Sequence, residues 1–270
     1  MNSNTGAIVV ASGYGSCRTT EGVPFPKVLE DVHGRVMILR VLDTVLGAGL
    51  SPCVVVVNPL FGPRIRNVVH EENPSMRFAL QPSRAGACDA VRRGALAMSG
   101  VVEHFLVVYA DMPLWTPATM SHLVEDHEKC HPTISMVSVR LVGSYPKELE
   151  RYGRIVKSGG KILKIVEPPD ASAEDLLASD AVNPSLWVWN RAWLLEHAPH
   201  VPFTAKSDGH DPEQYLPPLI GIAVADNQEV LEFPLKDPWE ALGVNNANEL
   251  ERVREVFVRR SESISEPSSP

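Results

Sequence analysis

The stretch from Ala7 to Leu29 constrains the fold of this chain more than any other part of the sequence. Ala7 to Ala11 is a short apolar run rich in β-branched residues, which predicts a buried strand. The following residues, Ser12 to Ser16, are small enough to let backbone N–H groups approach an anion. Lys27 then supplies a point cation suited to phosphate. The stretch predicts a cradle for a nucleoside triphosphate, with a tight turn that binds nothing as the alternative.

Residue spacing excludes two common nucleotide-binding loops. A Walker A loop needs Gly-Lys-Ser/Thr after its second glycine, and that tripeptide is absent from this loop. The dinucleotide fingerprint GxGxxG needs glycine where Arg18 stands, and an acidic residue where Val57 and Asn58 stand. The loop therefore predicts a different mode of nucleotide binding.

Composition favours a globular protein that acts on small molecules. The 270 residues are 44% hydrophobic and 21% charged, as in an ordinary domain with a sizeable core. The net charge of −8 argues against nucleic acid or an anionic membrane as a partner, so anionic substrates would need local cations and a metal ion. The N-terminus does not resemble a signal peptide, and no apolar run approaches a membrane span of about 18 residues. The four cysteines lack CxxC spacing, so we expect a cytoplasmic protein.

Strand and helix patterns alternate through the first half of the chain. The predicted strands after the first are Cys53–Val57, Arg77–Leu80 and Phe105–Tyr109, and the predicted helices are Val36–Gly49, Pro63–Glu72 and Gly86–Met98. This βαβ alternation predicts an α/β fold with a mostly parallel central sheet and helices on both faces. Ligands of such sheets bind outside the carboxyl ends of the strands.

The second half has a less regular pattern, which predicts a smaller sub-lobe on the parallel core. The predicted strands are Thr133–Val139, a hairpin over Arg154–Val166, Val182–Trp189 and Gln228–Phe233, and the predicted helices are Ala171–Ala178, Glu213–Ala225 and Asn246–Arg259. The last ten residues, from Ser261, are polar and rich in serine and proline, which predicts a disordered tail.

Polar residues at predicted strand ends are the candidates for binding. Asp111 directly follows a buried strand, where a carboxylate could hold Mg²⁺ with bound phosphates. It could instead cap the next helix, but Thr116 is better placed for that role. Gln81 can pair with the edge of a base, or it can simply face solvent at its strand end. Gly86 is expected to leave a helix N-terminus open to a ligand.

A second cluster suggests zinc but lacks an aligned fourth ligand. His127 and His131 are spaced i, i+4 and lie near His122 and Cys130. We interpret the cluster as a solvated helix end.

The glycine loop resembles the signature of sugar-1-phosphate nucleotidyltransferases. The match is Val10-Ala11-Ser12-Gly13-x-Gly15-Ser16 followed by Pro26-Lys27-Val28-Leu29. Within that family it is most similar to the uridyltransferase domain of bacterial bifunctional N-acetylglucosamine-1-phosphate uridyltransferases. The resemblance reaches about residue 258 through Leu80-Gln81, Tyr109-Ala110-Asp111, Tyr152-Gly153-Arg154, Ile165-Val166-Glu167, Val182-Asn183 and Gly243-Val244-Asn245-Asn246. The chain departs from the family pattern at Cys17, Ala87, Asp89 and Pro184.

The resemblance implies a fold and a reaction. The fold is a Rossmann-like nucleotidyltransferase domain over residues 1–260, with a nucleotide-binding half at about 1–140 and a sugar-binding half at about 141–245. The reaction joins UTP and N-acetylglucosamine-1-phosphate into UDP-N-acetylglucosamine and releases pyrophosphate, with Mg²⁺ as cofactor. Another sugar phosphate or nucleotide, or a homologue that binds without turnover, stays open. The acetyltransferase β-helix of the bifunctional relatives has no counterpart in the pattern after Glu251, so we expect no β-helix trimer and leave the oligomeric state open.

The same resemblance implies residue roles. It implies Arg18 and Lys27 as catalytic cations, and two oxygen ligands for Mg²⁺ in Asp111 and Asn245. The implied nucleotide-binding residues are Val10, Ala11, Ser12, Gly13, Gly15, Lys27, Gln81, Gly86, Ala87 and Tyr109, and the implied sugar-binding residues are Gly153, Glu167 and Asn183.

Overall fold

A single large sheet organises the molecule in the computed structural model, which describes residues 4–20, 23–98, 102–177, 179–205 and 211–265. The strands are β1 (Thr5–Ala11), β2 (Ser16–Thr20), β3 (Val23–Pro26), β4 (Asp31–Val32), β5 (Arg35–Val36), β6 (Cys53–Val57), β7 (Arg77–Leu80), β8 (His104–Tyr109), β9 (Ile134–Arg140), β10 (Arg154–Ser158), β11 (Lys161–Val166), β12 (Ala181–Val182), β13 (Trp187–Asn190) and β14 (Val230–Pro234). The helices are α1 (Met37–Gly47), α2 (Gly62–Glu72), α3 (Ala87–Ala97), α4 (Pro117–Cys130), α5 (Ala173–Leu177), α6 (Arg191–His197), α7 (Pro218–Ala225) and α8 (Ala247–Ser265).

The strand order confirms the α/β fold with a largely parallel centre. The order across the sheet is β11-β10-β12-β9-β13-β8-β1-β6-β7, and β14 pairs with β9. The strands β7, β6, β1 and β8 are all parallel. Beyond them β13 lies antiparallel between β8 and β9, and β10, β11 and β12 continue with antiparallel pairing. The predicted sub-lobe is therefore a continuation of the same sheet.

Helices cover both faces of the sheet, and successive residues of β1 point into two different cores. Ala7 and Val9 pack in one core with side chains of α1 and α4, while Ile8 and Val10 pack in the other with α3 and α7. Burial on both faces explains why β1 is a continuous apolar run. Burying one valine or isoleucine side chain stabilises the fold by roughly 1.5–3 kcal/mol.

The carboxyl ends of the parallel strands bring the loops after β1, β6, β7 and β8 to one edge of the sheet. Asn58 follows β6 and is fully buried. Its Nδ2 donates to the carbonyls of Ser12 and Gly13 at 3.0 and 3.1 Å, and its Oδ1 accepts from the backbone N–H of Phe61. The glycine loop is thus held from below by the neighbouring strand.

The predicted strand Val182–Trp189 is wrong, because the chain turns in its middle. Ser185 adopts a left-handed backbone with φ of 61°. The Oδ1 of Asn183 stabilises this turn by accepting from the backbone N–H of Ser185 and from Nε1 of Trp187. The run therefore divides into β12 and β13.

The predicted helix Glu213–Ala225 begins five residues late, at Pro218. Glu213 instead forms an antiparallel bridge with Thr204, and the N–H of Gln214 donates to the carbonyl of Ala85. Tertiary pairing thus takes the backbone groups that a longer helix would need.

The last helix is longer than predicted. Asn246 caps it by accepting from the N–H of Glu249, and α8 continues past Ser261 to Ser265. The hydroxyl of Ser261 donates back to the carbonyls of Phe257 and Val258. The disordered tail predicted from Ser261 is therefore helical as far as Ser265, and residues 266–270 lie outside the described part of the chain.

The histidine cluster is a solvated helix end only in part: His122, Cys130 and His131 are exposed, whereas His127 is not. His127 is fully buried and forms hydrogen bonds with Ser135 Oγ at 2.8 Å and His104 Nδ1 at 2.9 Å. Burial, with His104 and His131 nearby, lowers the pKa of His127 to about 3. Across the described ranges, no three His, Cys, Asp or Glu side chains are grouped to hold a metal ion, and no helix is long and apolar enough to cross a membrane.

Candidate active site

Two cavities lie side by side at the carboxyl edge of the sheet and share Tyr109 and Asp111. The larger, about 480 Å³, is called here the glycine-loop cavity and is lined by Val10, Ala11, Ser12, Gly13, Tyr14, Gly15, Lys27, Val28, Gln81, Arg84, Gly86, Ala87, Tyr109, Asp111 and Glu213. The smaller, about 300 Å³, is called the hairpin cavity and is lined by Tyr109, Asp111, Met112, Arg151, Tyr152, Gly153, Glu167, Asn183, Pro184, Ser185, Gly243, Val244 and Asn245. Every predicted nucleotide-binding residue lines the first, and every predicted sugar-binding and metal-binding residue lines the second.

An ion pair stands where the two cavities meet. The Nζ of Lys27 lies 2.6 Å from Oδ2 of Asp111 and donates to the carbonyl of Val244 at 2.8 Å. The N–H of Val244 donates in turn to the carbonyl of Asp111 at 2.9 Å. Because the side chains are only 12% and 23% exposed, the pair is poorly screened by solvent. Lys27 therefore links its own segment to the segments that carry Asp111 and Val244.

Asn245 presents its oxygen rather than its nitrogen to the hairpin cavity. Its Nδ2 and its backbone N–H both donate to Oε2 of Glu249, at 3.0 and 2.8 Å. A carboxylate accepts only, so the amide must turn its nitrogen towards Glu249 and leaves Oδ1 for a ligand. Glu249 is itself held by Arg151 and by Nδ2 of Asn246.

Glu249 keeps a lowered pKa in this network. Burial alone would raise the pKa of its carboxyl group, but the hydrogen bonds from Arg151 and Asn245 outweigh burial and hold the pKa below its ordinary value. The charged form that anchors Asn245 is thus stabilised by the groups it binds.

Gly86 does not leave the helix N-terminus open, contrary to the prediction. The N–H of Cys88 in the first turn of α3 donates to the carbonyl of Gln214 at 3.0 Å. A Cβ on Gly86 would lie 2.3 Å from that oxygen, and its φ of 90° also favours glycine. The segment around Gln214 therefore occupies the site where an anion could have bound, although Gly86 still lines the glycine-loop cavity.

The three predicted sugar-binding residues lie together in the hairpin cavity. The N–H of Asn183 donates to the carbonyl of Gly153 at 2.8 Å. A Cβ on Gly153 would lie 3.0 Å from Oε1 of Glu167 and closer still to Ile165, so the close approach of β11 requires glycine. Desolvation by the cavity wall raises the pKa of Glu167, with Asp170 adding to the shift. The cavity thus offers carboxylate oxygens and an amide to a polyhydroxylated ligand.

Two tyrosines stay neutral at the cavity walls, because burial raises their pKa far above the ordinary value. The Tyr152 hydroxyl donates to the carbonyl of Ala241 and accepts from the N–H of Gly243. Tyr152 therefore fixes the loop that leads to Asn245. Tyr109 separates the two cavities at the end of β8.

The prediction missed several residues that line the site, among them Tyr14, Arg84, Arg151 and Glu213. Arg84 lies over the ring of Tyr14, 4.2 Å from its centroid, and both line the glycine-loop cavity with Glu213. Arg151 adds a cation to the hairpin cavity. All lie on loops or short turns, which have no side-chain period to reveal them. Arg18 lies in β2 and pairs with Phe25, and its side chain is outside what the structure describes.

The parallel sheet, the glycine loop and the Lys27–Asp111 pair at its carboxyl edge together define a nucleotidyltransferase fold. The chain belongs to the family of MobA-like NTP transferase domains, which matches residues 7–154.

Two curated relatives show how far the similarity extends. The bifunctional protein GlmU of Exiguobacterium sibiricum is 28% identical over 272 residues, covering 97% of this chain and 57% of that protein. The bifunctional protein GlmU of Cupriavidus necator is 32% identical over 254 residues, covering 92% of this chain and 51% of that protein. The chain thus spans about half the length of the curated relatives it matches.

Solved structures show the same fold at low sequence identity. A CMP:2-keto-3-deoxy-manno-octonic acid synthetase complexed with CTP superposes with a TM-score of 0.66 at 16% identity, covering 95% of this chain and 99% of that one. A nucleotidyl transferase from Methanothermobacter thermautotroptrophicus superposes with a TM-score of 0.60 at 17% identity, covering 95% and 98%. At these identities the likeness concerns the fold alone.

Proposed function

We propose that this protein is a magnesium-dependent uridylyltransferase that makes UDP-N-acetylglucosamine from UTP and N-acetylglucosamine-1-phosphate. The observation that carries the proposal is the pair of cavities joined at Tyr109 and Asp111. A group-transfer enzyme needs its two substrates side by side with their reacting atoms at a common wall. The resemblance of the glycine loop and of the later motifs supports the choice of substrates.

The glycine-loop cavity would hold UTP. The backbone of Ser12, Gly13 and Gly15 would lie along the phosphates. Gln81 would contact the nucleobase, and the apolar walls of the cavity would be Val10, Ala11 and Ala87. Lys27 would exchange its contact with Asp111 for the triphosphate, and Arg18 would bind the departing pyrophosphate. Such cations matter because charge stabilisation and positioning supply most of the catalysis in phosphoryl-type transfer.

The hairpin cavity would hold the sugar phosphate. Glu167 would accept hydrogen bonds from sugar hydroxyls, Asn183 would donate its amide N–H groups, and the backbone of Gly153 would lie against the ring. An oxygen of the sugar phosphate would attack the α-phosphorus of UTP. The bond between the α-phosphorus and the oxygen that bridges it to the β-phosphorus would break, and pyrophosphate would leave with that oxygen. The attacking oxygen is already anionic, so the step needs no general base.

Two residues of the hairpin cavity fit Mg²⁺. The carboxylate of Asp111 and Oδ1 of Asn245 are both oxygen donors facing the hairpin cavity. Mg²⁺ usually takes one or two protein carboxylate or carbonyl oxygens and completes its shell with water and substrate phosphates. When bound, the ion would neutralise the phosphate charge that builds up during transfer.

The test is a substrate panel with purified protein. Pyrophosphate release should need Mg²⁺ and be fastest with UTP and N-acetylglucosamine-1-phosphate. Release that is faster with another sugar phosphate would correct the acceptor. Nucleotide binding without pyrophosphate release on any pair would overturn the proposal in favour of a binding homologue.

The cytoplasmic location and the lack of nucleic-acid or membrane partners stay predictions from the sequence.

A further inference from the structure

A buried carboxylate, Asp89, stands behind Gln81 on the wall of the glycine-loop cavity. Asp89 is only 6% exposed and Gln81 only 3%. Nε2 of Gln81 donates to Oδ2 of Asp89 at 3.2 Å and to the carbonyl of Gly86 at 2.8 Å. Asp89 is one of the positions at which this chain departs from the pattern of the family that it resembles.

The two partners fix which way the Gln81 amide faces. A carboxylate and a backbone carbonyl can only accept, so both require the nitrogen end of the amide. The Asp89 carboxylate and the Gly86 carbonyl together accept both N–H groups of the Gln81 amide. Within the described residues nothing donates to Oε1, and Gln81 lines the cavity, so Oε1 is the end that remains for a ligand.

Two cations support the charge of Asp89. Nε of Arg93 donates to Oδ2 of Asp89 at 2.7 Å, and Arg92 lies 3.8 Å from Oδ1. A buried carboxylate without a partner would be costly, whereas this one is paired from the surface side of α3 and hydrogen-bonded from the cavity side. The arrangement is a chain from Arg93 through Asp89 to Gln81.

We propose that Asp89 is a positioning residue that holds Gln81 as an acceptor towards the nucleobase. The cavity would then favour a base whose ring nitrogen donates, as N3–H of uracil and thymine and N1–H of guanine do. Cytosine and adenine present an accepting ring nitrogen instead. An acceptor placed against an acceptor leaves both without a partner and weakens binding. The inference rests on the proposed function, because it takes the cavity to be the nucleotide site.

Replacing Asp89 should relax this selection. In Asp89→Asn the new amide can donate to Gln81 as well as accept, so only the carbonyl of Gly86 still requires the nitrogen end and the preference of the Gln81 amide for one orientation is weakened. Asp89→Ser removes the carboxylate with a smaller side chain. Asp43→Asn is the matched control, because Asp43 is also paired with an arginine, Arg35, but lies on the exposed side of α1.

The experiment is equilibrium binding of UTP, dTTP, GTP, CTP and ATP, each with Mg²⁺, to the wild type and the three variants. The wild type should prefer UTP over CTP. The ratio of their dissociation constants should fall about tenfold in Asp89→Asn and Asp89→Ser, through loss of one oriented hydrogen bond, and should not change in Asp43→Asn.

Equal binding of UTP and CTP by the wild type would overturn the inference, as would an unchanged ratio in either folded Asp89 variant. If one variant does not fold, the other decides. Pyrophosphate release is measured separately on the same samples. A protein that selects uracil through Asp89 but never releases pyrophosphate would refute the proposed function and leave this inference standing.

Discussion

Asp111 is held by Lys27 in the free protein and would have to exchange this partner for Mg²⁺ in the reaction. Two unit charges about 4 Å apart interact by roughly 4 kcal/mol at an effective dielectric of about 20. Both Lys27 and Mg²⁺ would therefore interact strongly with Asp111, and the electrostatics of the site depend on both the Lys27 and the Asp111 side chain. Loss of either should change the rate more than the stability.

Asp111→Ala should fold normally, since the residue follows the end of β8, but should lose Mg²⁺-dependent turnover. Asn245→Ala should reduce turnover less, because an amide oxygen carries no net charge. Pyrophosphate release as a function of Mg²⁺ concentration measures both effects, and Asp180→Ala, an exposed ion-paired carboxylate, is the control. Activity of Asp111→Ala within a few-fold of wild type would show that the metal site is misplaced.

Arg18→Ala should slow turnover by about 10²–10³-fold, the usual cost of removing one donor aimed at transition-state charge. The chain departs from the family pattern at Cys17, one position before Arg18. A guanidinium can span that difference and bind phosphate with two parallel hydrogen bonds. Single-turnover rates with saturating UTP give the answer, and an unchanged rate would remove Arg18 from the mechanism.

The start of α8 is tied to the candidate metal site through Glu249. Its carboxylate accepts from the backbone and side chain of Asn245 and from Arg151. The side chain is 5% exposed, so these contacts cannot be replaced by water without rearrangement. The position of the helix and the position of the amide ligand are therefore linked.

Glu249→Gln should destabilise the protein by about 1–3 kcal/mol at neutral pH and raise the Mg²⁺ concentration needed for turnover. The pKa of Glu249 is lower in the folded than in the unfolded protein, so its stabilising contribution is fully present above the unfolded value and is lost as the pH falls through the folded value. Urea unfolding from pH 7 down to about 3 should therefore show the two proteins converging in acid. A constant difference across that range would contradict the role given to the charge.

Elements buried on both faces were predicted well, and elements defined by tertiary hydrogen bonds were not. The strand Cys53–Val57, which is buried along its whole length, has the predicted bounds. The partly exposed edge strand Arg77–Leu80 also has the predicted bounds. The turn after β12 was missed because Val182, Leu186 and Trp187 are apolar, and the hydrogen bond from Trp187 to Asn183 that bends the chain leaves no periodic signal.

At the scale of the whole molecule, the candidate active site lies where the parallel half of the sheet meets the antiparallel half. β8 is parallel to β1 and antiparallel to β13, and the two cavities share its last residue, Tyr109, and Asp111 two positions later. Residues that follow strands, such as Gln81 and Asp111, could be predicted as binding residues because strand ends converge. Asn58 also follows a strand, but it supports the loop rather than a ligand, and only the fold shows that.

The most direct test of two joined substrate sites is a single-turnover reaction followed by ³¹P NMR. Enzyme in excess over UTP is mixed with Mg²⁺, with and without N-acetylglucosamine-1-phosphate. Two substrates reacting across the shared wall should give UDP-N-acetylglucosamine and pyrophosphate in equal amounts, and neither product when the sugar phosphate is omitted. Pyrophosphate released without the sugar phosphate, or bound UTP that stays intact in the complete mixture, would contradict this account.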